Sequence, residues 1–75
     1  MTVEEKIIRD AMKDAGIRNR RELAGMIGVS DGAMKRKFRL PETLTVRDLR
    51  RIATVTNMSA ERMVQMLEGR DGTVL

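Results

Sequence analysis

Seven basic side chains fall within residues 18–39 and could together bind a polyanion. Only Glu22 and Asp31 oppose them, so this segment carries a net charge of +5. Residues 1–17 carry −1 and residues 40–75 are neutral, which leaves the positive charge concentrated in one stretch. Such a concentration is the electrostatic footprint of a protein that binds a polyanion such as nucleic acid. A solvated basic surface is the alternative, and charge alone does not separate the two.

Catalytic and metal chemistry have few side chains to use in this sequence. The chain has no cysteine and no histidine, which removes disulfides, thiolate nucleophiles, imidazole bases and the usual zinc sites. Two acidic pairs remain as possible catalytic groups: Glu4 with Glu5, and Asp10 with Asp14. Both pairs are predicted to face solvent, where adjacent acids rarely form a pocket. We therefore expect no enzyme, no metal and no cofactor.

Length and composition indicate one small folded domain. The chain has 75 residues, of which 41% are hydrophobic and 35% are charged, a balance typical of a globular protein. No apolar run approaches the roughly 20 residues that a membrane span needs. The first residues lack the basic and apolar regions of a secretion signal, so we expect a cytoplasmic protein without membrane contact.

Capping residues and helix terminators divide the chain into five helices. Start signals are Thr2 with Glu5, Asn19 with Glu22, Ser30, Thr45 with Asp48, and Ser59. Predicted helix ends are Gly16, Gly28, Asn57 and Gly69, and Pro41 lies in the longest loop, residues 40–44. No stretch alternates apolar and polar residues for long enough to predict a strand. The sequence therefore predicts an all-α domain over residues 1–68, with a C-terminal tail at residues 69–75.

Apolar side chains at helical spacing predict which faces are buried. In the fourth helix, Val46, Leu49 and Ile52 are expected to point inward. Four of the seven methionines also lie at core spacing, namely Met12, Met34, Met63 and Met66. A methionine stripe can form an adaptable partner groove, but packing in the core is the favoured interpretation here.

Residues 20–39 predict two helices joined by a tight turn. Ala24 is small where the second helix must approach its neighbours closely, since a larger side chain would wedge them apart. Gly28 can adopt the positive φ that a short turn requires. Val29 and Met34 are expected to close the core beneath both helices.

This segment resembles the helix-turn-helix domains of phage repressors of the Cro and CI type, the lambda-repressor-like family. The likeness rests on Glu22-Leu23-Ala24 and on the run Ile27-Gly28-Val29-Ser30. Residues 44–53 and 57–59 look like the fourth helix and the lead into the fifth in that family. The resemblance covers about residues 3–68 and implies a compact five-helix lambda-repressor-like domain. It also implies a transcription regulator, a phage-type repressor that reads the major groove of double-stranded DNA with its third helix.

Three positions depart from the family pattern. Arg20 stands where glutamine is common, Lys37 stands where an apolar residue is usual, and Gly32 removes a side chain where the family often reads a base. Arginine can contact phosphate as glutamine does. Lys37 and Gly32 leave the register of the base-reading residues open by about one position.

The resemblance implies two sets of DNA contacts. The base contacts expected from it are Ser30, Asp31, Gly32, Lys35 and Arg36. The phosphate contacts expected are Arg18, Arg20, Arg21, Lys37 and Arg39. Lys35 and Arg36 are the best candidates for reading guanine, although they could equally contact phosphate or only water. Asp31 could accept from cytosine N4, but a role in complementing the helix dipole is favoured.

A homodimer is the expected assembly, because one such unit covers only a half-site on the DNA. Val64, Met66 and Leu67 in the fifth helix are the expected interface, although they could equally complete the core of a monomer. The main rival function is a protein-interaction module, such as an antirepressor or an antitoxin-like adaptor. RNA binding is a weaker option, since Phe38 is the only aromatic residue and is predicted to be buried.

Overall fold

A computed structural model describes the backbone of residues 2–71 and the side chains of residues 2–65. Within that part of the chain, every regular element is helical. The α-helices are α1 (Val3–Ala15), α2 (Arg20–Ile27), α3 (Asp31–Arg39), α4 (Val46–Thr56) and α5 (Ala60–Asp71), with a single 3₁₀ turn, Pro41–Thr43, between α3 and α4. The prediction of an all-α domain with five helices is confirmed. None of the described helices is both long enough and apolar enough to cross a membrane.

All five helix starts are capped as the sequence predicts. The side chains of Thr2, Asn19, Ser30, Thr45 and Ser59 each accept a hydrogen bond from the backbone amide three residues further on. Only Thr45 forms the reciprocal box, in which the Asp48 carboxylate also accepts from the Thr45 amide at 2.9 Å. The paired start signals at Thr2 and Asn19 form no such box, because Glu5 accepts from Arg9 Nε at 2.7 Å and Glu22 accepts from Arg18 Nε at 3.1 Å instead. The caps therefore fix where the helices begin. Neighbouring charges determine whether the acidic residue three positions later bonds to the cap amide or to a cation.

Left-handed residues end three helices at the predicted positions. Gly16 has φ +76°, Gly28 has φ +79° and Asn57 has φ +52°. The prediction that Gly69 ends α5 is wrong, because the helix continues through it to Asp71. A glycine costs a helix about 1 kcal/mol relative to alanine, and it ends a helix only where it takes up the left-handed conformation. Residues 69–71 of the predicted tail are therefore helical, and residues 72–75 lie outside the described part.

One core lies between the helices and fixes their positions. Its buried side chains are Ile8, Met12, Ile17, Leu23, Ala24, Ile27, Met34, Phe38, Leu44, Leu49 and Ile52. Helix α1 packs against α3, α4 and α5, while α2 packs against α3 and α4. Met12 and Met34 are core residues as predicted, and Met63 packs against the same cluster. The side chain of Met66 lies outside the described residues.

Two burial predictions are wrong at helix starts. Val46 was expected to point inward but is 60% exposed, because the first residue of α4 precedes the turn that packs on the core. Glu4 was expected to face solvent but is buried, because it lies four residues before Ile8 on the inward face of α1. The pair Glu4 and Glu5 is thus divided between two faces of the helix.

We expect Gly28→Ala to lower the free energy of unfolding by about 1 to 2 kcal/mol, because alanine is strained at positive φ. Space is not the cause, since a Cβ at Gly28 would meet only Arg51 Nη1 at 3.7 Å. Gly25→Ala is the matched control. Gly25 lies inside α2, the helix that Gly28 ends, and nothing lies within 4 Å of an added Cβ. Its substitution should therefore raise stability by about 0.5 to 1 kcal/mol. Urea denaturation of both variants checks the opposite signs, and a neutral Gly28→Ala would contradict the argument.

Candidate nucleic-acid interface

The connection between α2 and α3 consists of Gly28, Val29 and Ser30. Gly28 turns the chain, and the Val29 amide donates to the Ala24 carbonyl at 3.0 Å, which continues the end of α2. Ser30 then caps α3 by accepting from the Ala33 amide at 3.1 Å. Every residue of the connection is thus tied to one of the two helices. The two helices are therefore held in one fixed arrangement.

Helix α3 divides into a buried side and a basic side. Met34 and Phe38 are 0% and 3% exposed, and they anchor the helix in the core. The opposite side holds Gly32, Lys35, Arg36 and Arg39, all of them exposed and spaced as one helical face. This set of four residues is called the α3 basic face below.

The basic residues of this region fall into two groups by their partners. Among the described residues, the side chains of Arg21, Lys35, Arg36 and Arg39 form no hydrogen bond or ion pair with protein. Those of Arg18, Arg20 and Lys37 each bind a carboxylate. Arg18 remains 83% exposed beside Glu22, so this ion pair leaves it accessible. The cations of the first group are thus exposed and available to a ligand.

Arg20 and Asp31 form a two-pronged ion pair between the first residues of α2 and α3. Arg20 Nε donates to Asp31 Oδ1 at 2.8 Å, and Arg20 Nη2 donates to Asp31 Oδ2 at 3.1 Å. The hydrogen bond from Arg20 lowers the pKa of Asp31; desolvation opposes it, and the positive charges of Arg20, Arg21 and Lys35 add to the lowering. The same bond raises the pKa of Arg20. Both groups are therefore firmly charged at neutral pH.

Lys37 lies away from the α3 basic face and faces α4. Its Nζ donates to Asp48 Oδ2 at 2.7 Å and to the Thr43 carbonyl at 3.2 Å, and its side chain is 17% exposed. This side chain ties α3 to the start of α4. We therefore leave Lys37 out of the interface proposed below.

The other expected base contacts lie at the start of α3. Ser30 is exposed, but its hydroxyl already accepts from the Ala33 amide. Gly32 has nothing within 4 Å of where a Cβ would stand, so it leaves the backbone accessible on this side. Ser30, Gly32, Lys35 and Arg36 are thus exposed, while the Asp31 carboxylate binds Arg20.

A shallow hollow extends the basic region toward α1. Arg20, Lys35 and Arg39 line it together with Thr2, Glu5 and Phe38. The Thr2 hydroxyl donates to the Phe38 carbonyl at 3.2 Å, which joins the start of α1 to α3. Thr2 was considered only as a helix cap, and nothing in the sequence pairs it with a residue 36 positions away.

Arg9 and Arg51 have structural roles that sequence patterns did not indicate. The guanidinium of Arg9 lies 5.1 Å from the centre of the Phe38 ring, within the range of a cation–π contact. Arg51 Nη1 donates to the Ile27 carbonyl at 3.1 Å and so satisfies the end of α2. Both arginines act on the helices that carry the basic region.

The expected dimer contacts are described only in part. Val64 is 51% exposed on α5, a large apolar side chain open to solvent. The side chains of Met66 and Leu67 lie outside the described residues.

Among the residues that are described, no group of three acidic, cysteine or histidine side chains is arranged to hold a metal ion.

Comparison with protein-family models, with curated proteins and with solved structures found no match for this chain. Any functional conclusion therefore depends on the residues and geometry described above.

We expect Asp48→Asn to lower the free energy of unfolding by about 2 kcal/mol at pH 7, since charge-assisted hydrogen bonds contribute about 1.5 to 3 kcal/mol. Burial raises the pKa of Asp48, but hydrogen bonds from Lys37 and Thr45, with the Lys37 charge, outweigh it and lower the pKa overall. The carboxylate therefore stabilises the fold above its ordinary pKa of about 3.9, and this contribution is lost as the pH falls through the lowered value.

Urea denaturation of the wild type and Asp48→Asn between pH 7 and pH 2.5 measures this contribution. The difference between the two proteins should be constant down to about pH 4.5 and should shrink below it. Asp10→Asn is the matched control, because the Lys6–Asp10 pair is 71% and 54% exposed. It should change stability by less than about 0.5 kcal/mol. A difference at Asp48 that does not vary with pH would contradict the assignment.

Proposed function

We propose that this protein is a transcription regulator that binds double-stranded DNA sequence-specifically, with α2 and α3 as the helix-turn-helix of a lambda-repressor-like fold. The α3 basic face is the observation that supports this proposal. It places exposed cations without protein partners, among the described residues, on one side of a helix whose other side is anchored in the core. The proposed location is the cytoplasm, and repression is the proposed mode of regulation, as the resemblance to phage repressors implies.

The dimensions of α3 suit the major groove. An α-helix with its side chains is about 10 to 12 Å across, which a major groove about 12 Å wide admits, and the nine residues of α3 would extend about 13.5 Å along it. Gly32 allows the backbone of the first turn to approach base edges closely. Lys35 and Arg36 would then reach into the groove, where guanine O6 and N7 are the acceptors that lysine and arginine prefer.

Phosphate contacts would come from cations that flank this helix. Arg21 lies at the start of α2 and Arg39 at the end of α3, and neither has a protein partner among the described residues. Arg18 is exposed enough to join them. Two such units on successive turns of the duplex, about 34 Å apart, would form the homodimer expected from the resemblance. Exposed Val64 on α5 is the proposed apolar contribution to that contact.

Selection from a random duplex pool tests the proposal. The protein should enrich a preferred sequence, and fluorescence titration should show salt-sensitive binding to that sequence over a shuffled duplex. Binding to both duplexes with equal affinity would remove sequence specificity from the proposal. No binding to either at low salt would reject DNA as the ligand and favour a protein partner.

We expect Arg36→Ala to lower affinity for the selected sequence by about 1 to 3 kcal/mol and affinity for random duplex by much less, because a bidentate contact with guanine discriminates between bases. Arg50→Ala is the matched control. Arg50 is an exposed arginine on α4, next to the C-terminal end of α2 and outside the α3 basic face. It should leave the ratio between the two duplexes unchanged. Equal losses on both duplexes for Arg36→Ala would demote Arg36 to a phosphate contact.

A further inference from the structure

The Arg20–Asp31 ion pair lies at the point where the starts of α2 and α3 meet. Its two hydrogen bonds, at 2.8 and 3.1 Å, use Nε and Nη2 of the guanidinium and both oxygens of the carboxylate. The two side chains are 30% and 33% exposed, so the pair is formed at the surface. The pair uses two of the five N–H donors of the guanidinium, and it occupies the Nε–Nη2 edge with which arginine otherwise binds a phosphate in the same two-pronged geometry.

Asp31 is also the only acidic side chain on α3. Arg20, Arg21 and Lys35 are all near enough for their charges to act on it. Its position is not needed for the cap of α3, because Ser30 already accepts from the Ala33 amide. An ionised carboxylate here repels the phosphate oxygens that the surrounding cations attract.

We infer that Asp31 is a specificity-determining residue, which withholds Arg20 from the phosphates of arbitrary DNA by occupying the Nε–Nη2 edge of its guanidinium and by repelling the DNA backbone. This inference rests on the proposed function and adds to it the residue that opposes sequence-independent binding. A specific protein can gain discrimination by weakening its wrong complexes as well as by strengthening the right one.

The physical consequence concerns salt dependence. Sequence-independent affinity comes from phosphates neutralised by lysine and arginine, and each such contact adds about 0.9 to the slope of log affinity against log salt. An Arg20 released from Asp31 would add this contribution on every duplex alike. The ratio of specific to random affinity would then fall, because the added contact carries no sequence information.

Asp31→Asn tests this inference, because it removes the charge and keeps the size of the side chain. We expect affinity for random duplex to rise several-fold at low salt, its salt slope to steepen by about 0.9, and the specific-to-random ratio to fall. Glu61→Gln is the matched control. It makes the same change of charge in the first turn of α5, which packs on α1, and it should leave slope and ratio unchanged.

The double variant Arg20→Gln with Asp31→Asn tests whether the gain comes from Arg20. Its salt slope on random duplex should return to the wild-type value, because the released guanidinium is no longer present. Urea denaturation of each variant accompanies the binding measurements. A purely structural role for the pair would change stability without steepening the slope.

The outcomes separate this inference from the proposed function. Specific binding by the wild type together with an unchanged slope and ratio in Asp31→Asn would overturn the inference and leave the function intact. A steeper slope that persists in the double variant would also overturn it, since Arg20 would not be the source. A wild type that binds no duplex would reject both.

Discussion

The short connection between α2 and α3 is the constraint on which the rest of the structure depends. Three residues join the helices, and each of them is used: Gly28 turns the chain, Val29 bonds back to α2, and Ser30 caps α3. Because the connection is short and each of its residues is fixed, burying Ile27 and Met34 in one core leaves α3 a single orientation. That orientation directs the α3 basic face outward along its whole length.

The remaining helices stabilise this pair at its ends. Arg51 of α4 donates to the Ile27 carbonyl at the end of α2, and the Thr2 hydroxyl before α1 donates to the Phe38 carbonyl in α3. Lys37 ties α3 to Asp48 in α4. Each of these contacts joins residues far apart in sequence, so the arrangement of α2 and α3 and the closed core stabilise one another.

The sequence predicts the local features of this fold well and the long-range ones poorly. At a helix start, the side-chain oxygen of the cap residue accepts from the backbone N–H three residues later. Both groups are close in sequence, so capping residues such as Ser30 and Thr45 are recognisable without a structure. Lys37 is different, because whether a lysine faces solvent or a buried aspartate depends on a helix eleven residues away. Glu4 shows the same limit, since a charged residue at core spacing was assigned by its type rather than by its position in the helix.

The basic segment of the sequence therefore contains cations with two different roles. Lys37 and Arg20 are paired with carboxylates and hold the helices together, which a count of charges cannot reveal. Lys35, Arg36 and Arg39 lie within one or two turns of each other on α3, where like charges three or four residues apart destabilise a helix by about 0.2 to 0.5 kcal/mol per pair.

A surface that only needs to be soluble relieves such repulsion by interspersing acids, as α1 does with Glu5 beside Arg9 and Asp10 beside Lys6. On α3 the single acid, Asp31, is hydrogen-bonded to Arg20, and among the described residues no carboxylate forms an ion pair with Lys35, Arg36 or Arg39. Burial of Met34 and Phe38 on the other side of the helix offsets this repulsion. A polyanion bound along α3 would remove the repulsion, so the charge pattern itself favours a ligand over a merely solvated face.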